Sequence, residues 1–208
     1  MPLSRPTARE HIHTRNVTCQ GFRREDGLWD IEGHITDTKS YGFANHDRGE
    51  IPPGVPVHEM WIRVTVGDDL VIRAVEAATD YAPFNGCDAI APAYEKLVGL
   101  KLGPGIRKQI RDRVGGIQGC THLTELMGPV ATTAFQTIFP IRSREAEEKR
   151  RAQSQEGQPS QDSVVAPKNQ KMPLINTCHG WRSDGEAVKR IAPNFYTGNE
   201  DIDGTREP

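Results

Sequence analysis

No run in this chain approaches the roughly 20 consecutive apolar residues that a membrane-spanning helix needs. The opening Met1-Pro2-Leu3-Ser4-Arg5-Pro6 also lacks the apolar centre of a secretion signal. These features set the expectation of a cytoplasmic protein with no membrane partner. A charge excess is missing too, since 26 Lys and Arg stand against 28 Asp and Glu, a formal net charge of -2. That balance gives no general attraction to polyanions, so no nucleic-acid partner is expected. Cysteine is sparse, with four among 208 residues. A chain this long has no need of disulfide staples, so Cys19, Cys87, Cys120 and Cys178 are expected as free or metal-bound thiols. No glycine-rich phosphate cradle is present, and no substrate can be read from a motif.

What is present is alternation, then helical periodicity. Residues 17–24 and 28–35 flank Glu25-Asp26-Gly27, a hairpin signal in which Asp-Gly accommodates positive φ. In the second strand Asp30, Glu32 and His34 share one face, and Trp29, Ile31, Gly33 and Ile35 the other. After the proline-rich stretch 51–56, residues 57–66 and 70–78 form a second hairpin about Gly67-Asp68-Asp69. There His58 falls on the apolar face with Met60, Ile62, Val64 and Val66. Taken alone, His58 reads as a hydrogen-bonded core histidine. Helical patterns follow at 91–100 and 106–114, then from Thr121 to about Phe139 with Pro129 expected to kink the run. From 142 to 171 the chain is charged and then rich in Gln, Ser and Pro, which predicts a solvated helix end and a disordered linker.

Chemistry concentrates at Gly119-Cys120-Thr121-His122-Leu123, just before the amphipathic helix. Thiolate and imidazole are the donors that zinc and iron prefer, and the partial positive charge of a helix N-terminus favours a thiolate. Cys87 also precedes a helix, so His58, Cys87, Cys120 and His122 form the expected ligand set if strand and helix ends converge. Each has a plainer reading, as a free cysteine is often just a small buried hydrophobe. Cys178 and His179, beyond the linker, are candidates for a nucleophile and its base or for a lid, and Trp181 equally well anchors a tail. Asp30 is a candidate general base, or the wet side of a strand. Arg23, Arg24 and Arg63 are candidates for binding an anionic substrate or orienting ligands, or are surface charges.

The order Pro56-Val57-His58-Glu59-Met60, Asn85-Gly86-Cys87-Asp88 and Gly119-Cys120-Thr121-His122 resembles the iron-sulfur scaffold fold of the IscU/NifU type over about residues 56–139. It departs from that pattern in lacking the first cysteine, which His58 replaces, and the chaperone-recognition segment. The resemblance implies an α+β fold, an antiparallel sheet with helices on one face, joined by an N-terminal hairpin and a flexible C-terminal tail. The implied organisation is a hairpin extension at 1–50, a core at 51–141, a linker at 142–171 and a tail at 172–208 that folds back. The whole chain is more closely similar to an uncharacterised bacterial family, domain of unknown function 2889. That similarity is carried by the segment from Arg23-Arg24-Glu25-Asp26-Gly27 to Gly33, by His58-Glu59-Met60-Trp61-Ile62-Arg63, by Gly119-Cys120-Thr121-His122-Leu123 and by Thr177-Cys178-His179. It implies no reaction. The expected function is a metalloenzyme of small-molecule metabolism, of the lyase or hydrolase kind, using one zinc or iron ion. The alternatives are a non-catalytic protein handling an iron-sulfur cluster or sulfur, and a zinc-stabilised binding module. A homodimer is left open.

Overall fold

The structure, a computed structural model, describes residues 3–155 and 174–198. The chain divides into two compact units, residues 1–148 and 149–208. In the first, β1 (His13–Arg23), β2 (Trp29–Lys39), β5 (Pro56–Val66) and β6 (Ile72–Tyr81) form an antiparallel sheet in the order β1-β2-β5-β6. The short strands β3 (Phe43–Asn45) and β4 (Gly49–Ile51) pair separately. A 3-10 helix (Cys87–Leu97) follows, then α1 (Ile106–Val114) and the long α2 (Thr121–Gln155). The second unit contains a 3-10 turn (His179–Trp181), a short α3 (Glu186–Ile191) and another 3-10 turn (Pro193–Phe195).

Both expected hairpins form. Gly27 takes a φ of 84°, and the Asp26 carboxylate accepts the Leu28 amide at 3.2 Å, closing the turn between β1 and β2. β2 is an interior strand of the sheet, so residues 1–50 are not an appendage to a core that begins at 51. The alternation in β2 and β5 sorts faces as the sequence indicates: Trp29, Ile31, Ile35, Met60, Ile62, Val64 and Val66 are buried. They form one core with Tyr94 and Leu97 of the 3-10 helix, Ile106, Ile110 and Val114 of α1, and Leu123, Leu126, Met127, Val130, Ala134 and Ile138 of α2. Each such large side chain taken from water stabilises the fold by about 1.5–3 kcal/mol.

Two strand glycines let α2 lie close on the sheet. A Cβ at Gly33 would sit 2.7 Å from a Val130 methyl and 3.0 Å from Leu126, and one at Gly21 would collide with Thr137. The helix therefore rests in a trough over β1 and β2, and its first turn is brought to one end of these strands. α2 runs uninterrupted through Pro129 and Pro140 and extends well past Phe139 to Gln155. Its apolar stripe ends where the sequence indicates. The extra turns are built from Glu, Lys, Arg, Ala and Gln, strong helix formers, with an Arg144–Glu148 pair one turn apart. The expected linker is thus helical through 155, and 156–171 lie outside the described residues, as do 172–173 and 199–208 of the expected tail. No helix among the described residues is long and apolar enough to cross a membrane.

Candidate metal centre

The register of β2 on β5 sets Asp37 directly opposite His58, immediately before a bulge that shifts the pairing to Thr38 and Pro56. Both side chains project on the helix face, where continued alternation from Trp29 and Ile31 places Asp37. The start of α2 then delivers His122. The three side chains converge so that one donor atom from each lies within 4.8 Å of the other two. His58 Nδ1 is 3.2 Å and His122 Nε2 3.6 Å from the same oxygen, Asp37 Oδ2, and the imidazole centroids are 3.8 Å apart. Asp37 is 1 % exposed, and both histidines are largely covered.

β1 closes the carboxylate from the other side. Arg15 donates from two nitrogens to Asp37, each at 2.8 Å, and His13 Nε2 lies 3.1 Å from Oδ1. A third Arg15 nitrogen reaches Glu125 of α2 at 2.9 Å. Burial alone would raise the Asp37 pKa, but its hydrogen bonds and charge attraction to Arg15, with help from His13 and His58, hold it below the usual carboxylate range. His58 is pushed down to about 4 by burial and by the neighbouring His122, against the opposing pull of Asp37. Burial and then the Arg15 charge lower His122 as well. At neutral pH the site presents one carboxylate and two neutral imidazoles, the protonation states that bind metal.

One atom has no place in a purely structural network. His58 Nδ1 is buried, and Asp37 Oδ2 lies 3.2 Å from it in an approach that falls short of good hydrogen-bond geometry. A buried nitrogen poorly aligned for hydrogen bonding, yet facing a carboxylate and a second imidazole, is what a metal ligand looks like before the ion is added. Carboxylate plus two imidazoles is also a donor set that divalent iron and zinc accept.

Of the four ligands expected from sequence, the structure brings His58 and His122 together and adds Asp37, which no sequence motif marks. Cys120 borders the site from behind: its Sγ is 3.9 Å from His122 Nδ1 and 3.6 Å from Met60 Sδ. It thus faces the His122 nitrogen that points away from Asp37, where a partner fixes ring orientation. Cys87 is half-buried at the start of the 3-10 helix and is not in the cluster. Its place before a helix made it look equivalent to Cys120, but Gly86, with a φ of 85°, turns the chain there into a 3-10 segment. Tyr94, another residue without a sequence signal, is fully buried and locks the start of α2. Its hydroxyl donates to the Cys120 carbonyl at 2.7 Å, accepts from the Cys120 amide at 3.1 Å and meets Thr124 Oγ1 at 2.8 Å.

The remaining candidates within the first unit lie elsewhere. Asp30 is on the opposite face of the sheet, accepting from Thr65 Oγ1 at 2.6 Å. Arg63 on that face is bonded to Glu32 and Glu76. Arg23 pairs with Glu145, and Arg24 with Asp26 and Asp30 at the hairpin turn. None of these four joins the cluster, because the period of two that hides Asp37 inside turns Asp30 and Arg63 out. Cys178 is exposed in the second unit, directly before the turn that begins with His179.

These features define a candidate mononuclear metal site of two histidines and one carboxylate on an antiparallel α+β fold. The chain belongs to the family DUF2889, described as a protein of unknown function, which matches residues 13–136 and so spans Asp37, His58 and His122. No curated protein and no solved structure matches the chain.

Proposed function

We propose that the protein is a metal-dependent enzyme acting on a small molecule, with one zinc or iron(II) ion held by Asp37, His58 and His122. The observation that carries this reading is the convergence of Asp37, His58 and His122 on one point, with the buried His58 Nδ1 poorly aligned for a hydrogen bond to the carboxylate it faces. Three protein ligands are the number that catalytic sites use, because they leave coordination positions for water and substrate, whereas closed structural zinc sites take four. When bound, such an ion supplies Lewis acidity to a carbonyl or acidifies a water. The chain's own part is to keep both imidazoles neutral, to fix His122 through Cys120 and Tyr94, and to hold Asp37 ionised through Arg15.

The thiol count weighs against a cluster scaffold of the IscU type. An iron-sulfur cluster is held mainly by thiolates. Of the three cysteines in the first unit only Cys120 borders the site, while Cys19 lies by Thr133 further along α2. The two-nitrogen Arg15–Asp37 pair favours a second reading, a metal-free polar network pinning β1, β2, β5 and α2 together. Metal analysis of the full chain purified anaerobically separates the readings. About one zinc or iron per chain, lost in Asp37→Asn and His122→Ala, is expected. Acid-labile sulfide would establish the cluster reading instead, and a metal-free protein that takes up neither ion would establish the network.

A further inference from the structure

Between α1 and α2 lies an open cleft of about 430 Å³, lined by Arg107, Ile110, Arg111, Thr124, Glu125, Gly128 and Pro129. That volume is within the range of small-molecule sites. Its two cations come from successive turns of α1, four residues apart and therefore on one side of the helix. α1 carries four basic residues, Arg107, Lys108, Arg111 and Arg113, against a single acid, Asp112. Lys108 takes Asp112 at 2.6 Å, and Arg113 donates to the carbonyls of Lys96 and Val98. Among the described residues no hydrogen bond or ion pair holds the Arg107 or Arg111 side chain. The two guanidiniums left without a partner are the two that line the cleft.

One acid faces them, Glu125, whose carboxylate is already engaged by Arg15 at 2.9 Å. The cleft is therefore net positive, with room for an acceptor between the arginines. The ligand chemistry follows from guanidinium geometry: a planar fork of donors that matches the oxygens of a carboxylate or phosphate. Position matters as well. Glu125 lies one turn beyond His122 on α2, and Arg15 joins the Glu125 carboxylate to the Asp37 carboxylate. A single guanidinium thus separates the cleft wall from the candidate metal site.

We propose that this cleft binds the anionic end, a carboxylate or a phosphate, of a small molecule through Arg107 and Arg111, directing its other end toward Asp37, His58 and His122. Its role as the handle of a substrate rests on the metal reading above, whereas anion binding in the cleft does not. The apolar lining from Ile110 and Pro129 suits a short carbon skeleton rather than a bare inorganic ion.

The test uses the full chain, freed of metal and dialysed clear of chelator, titrated with inorganic phosphate and separately with tricarballylate. Saturable binding of at least one probe, weakening as salt rises, is expected, and the stronger probe identifies the anion class. The double variant Arg107→Gln/Arg111→Gln should weaken that binding about tenfold or more, a loss of about 1.4 kcal/mol. Lys108→Gln removes one positive charge from the same helix away from the cleft and should change it by less than about twofold. Glu125→Gln, which removes the opposing carboxylate, should tighten it. Binding of neither probe, or an equal loss in Lys108→Gln, overturns the proposal. The double variant should still load metal as the wild type does, so a failure here is distinguishable from a failure of the metal site.

Discussion

Replacing His58 with phenylalanine should make the metal-free protein more stable and the metal-loaded protein less so. The substitution keeps a flat ring against His122, whose centroid is 3.8 Å away, and removes the buried Nδ1 that is poorly aligned for a hydrogen bond. An unsatisfied buried polar group costs about 1–3 kcal/mol. Asp37 loses its contact with His58 but keeps two bonds from Arg15 and one contact with His13. The expected net gain in chelator is about 1–2 kcal/mol. For a domain of this size that corresponds to roughly 2–4 °C in Tm for each kcal/mol. Metal reverses the order, because an ion at a hundred times its Kd stabilises the wild type by about 2.7 kcal/mol and the variant by none. Thermal and urea unfolding of both proteins, with chelator and then with zinc or iron(II), should therefore give curves that cross. A variant less stable than wild type in chelator by more than about 1 kcal/mol would show that His58 is a satisfied core histidine. Equal stabilisation of both proteins by metal would remove it from the ligand set.

Acid should destabilise the metal-free protein through the same ring. His58 has a folded-state pKa of about 4, below the 6.5 of an unperturbed histidine, so on acidification the unfolded chain takes the proton first. The proton-linked penalty is absent above about pH 6.5 and grows as pH falls toward 4, and urea midpoints across that window should fall less steeply in His58→Phe than in wild type. Gly33→Ala forces a Cβ against Val130 and Leu126 and should cost about 1–3 kcal/mol. Because α2 carries His122, it should also weaken metal binding, and a variant with unchanged urea midpoint would disprove the tight trough. Tyr94→Phe takes the hydroxyl acceptor from the half-buried Cys120 amide and leaves its carbonyl with the Thr124 amide alone at the start of α2. A loss of about 1–3 kcal/mol with weaker metal uptake is expected, and unaltered metal affinity would detach Tyr94 from the site.

The faces of β2 and β5 were legible because a half-buried strand writes its environment with a period of two, and the apolar stripe of α2 because its spacing is that of a helix. Two ligands, His58 and His122, could be found by residue type and position. Asp37 is not legible locally, because the strand signal in the sequence ends at Ile35. Two more residues of alternation put a carboxylate on the buried face, and a charge in that position is a signal in itself. The pairing of Asp37 with His58 depends on the register between strands separated in chain order by 16 residues, 40–55, which local patterns do not encode. Cys87 misled for the converse reason, since its local context copied that of Cys120 while the chain path took it elsewhere. Arg15 and Tyr94 act through contacts made only when β1 and the 3-10 helix are in place.

Strand alternation up to Asp37 gives the gene a parity constraint. Because strand side chains alternate, losing or gaining a single codon between Trp29 and Asp37 would swing the carboxylate to the face occupied by Asp30 and Glu32, and the site would vanish while the sheet survived. The chain between Lys39 and Pro56 carries no such rule, since the bulge and the separate β3-β4 pair absorb changes of length. Sequences descended from a common ancestor should therefore tolerate insertions in that connection and refuse odd-numbered ones in the strand that precedes it.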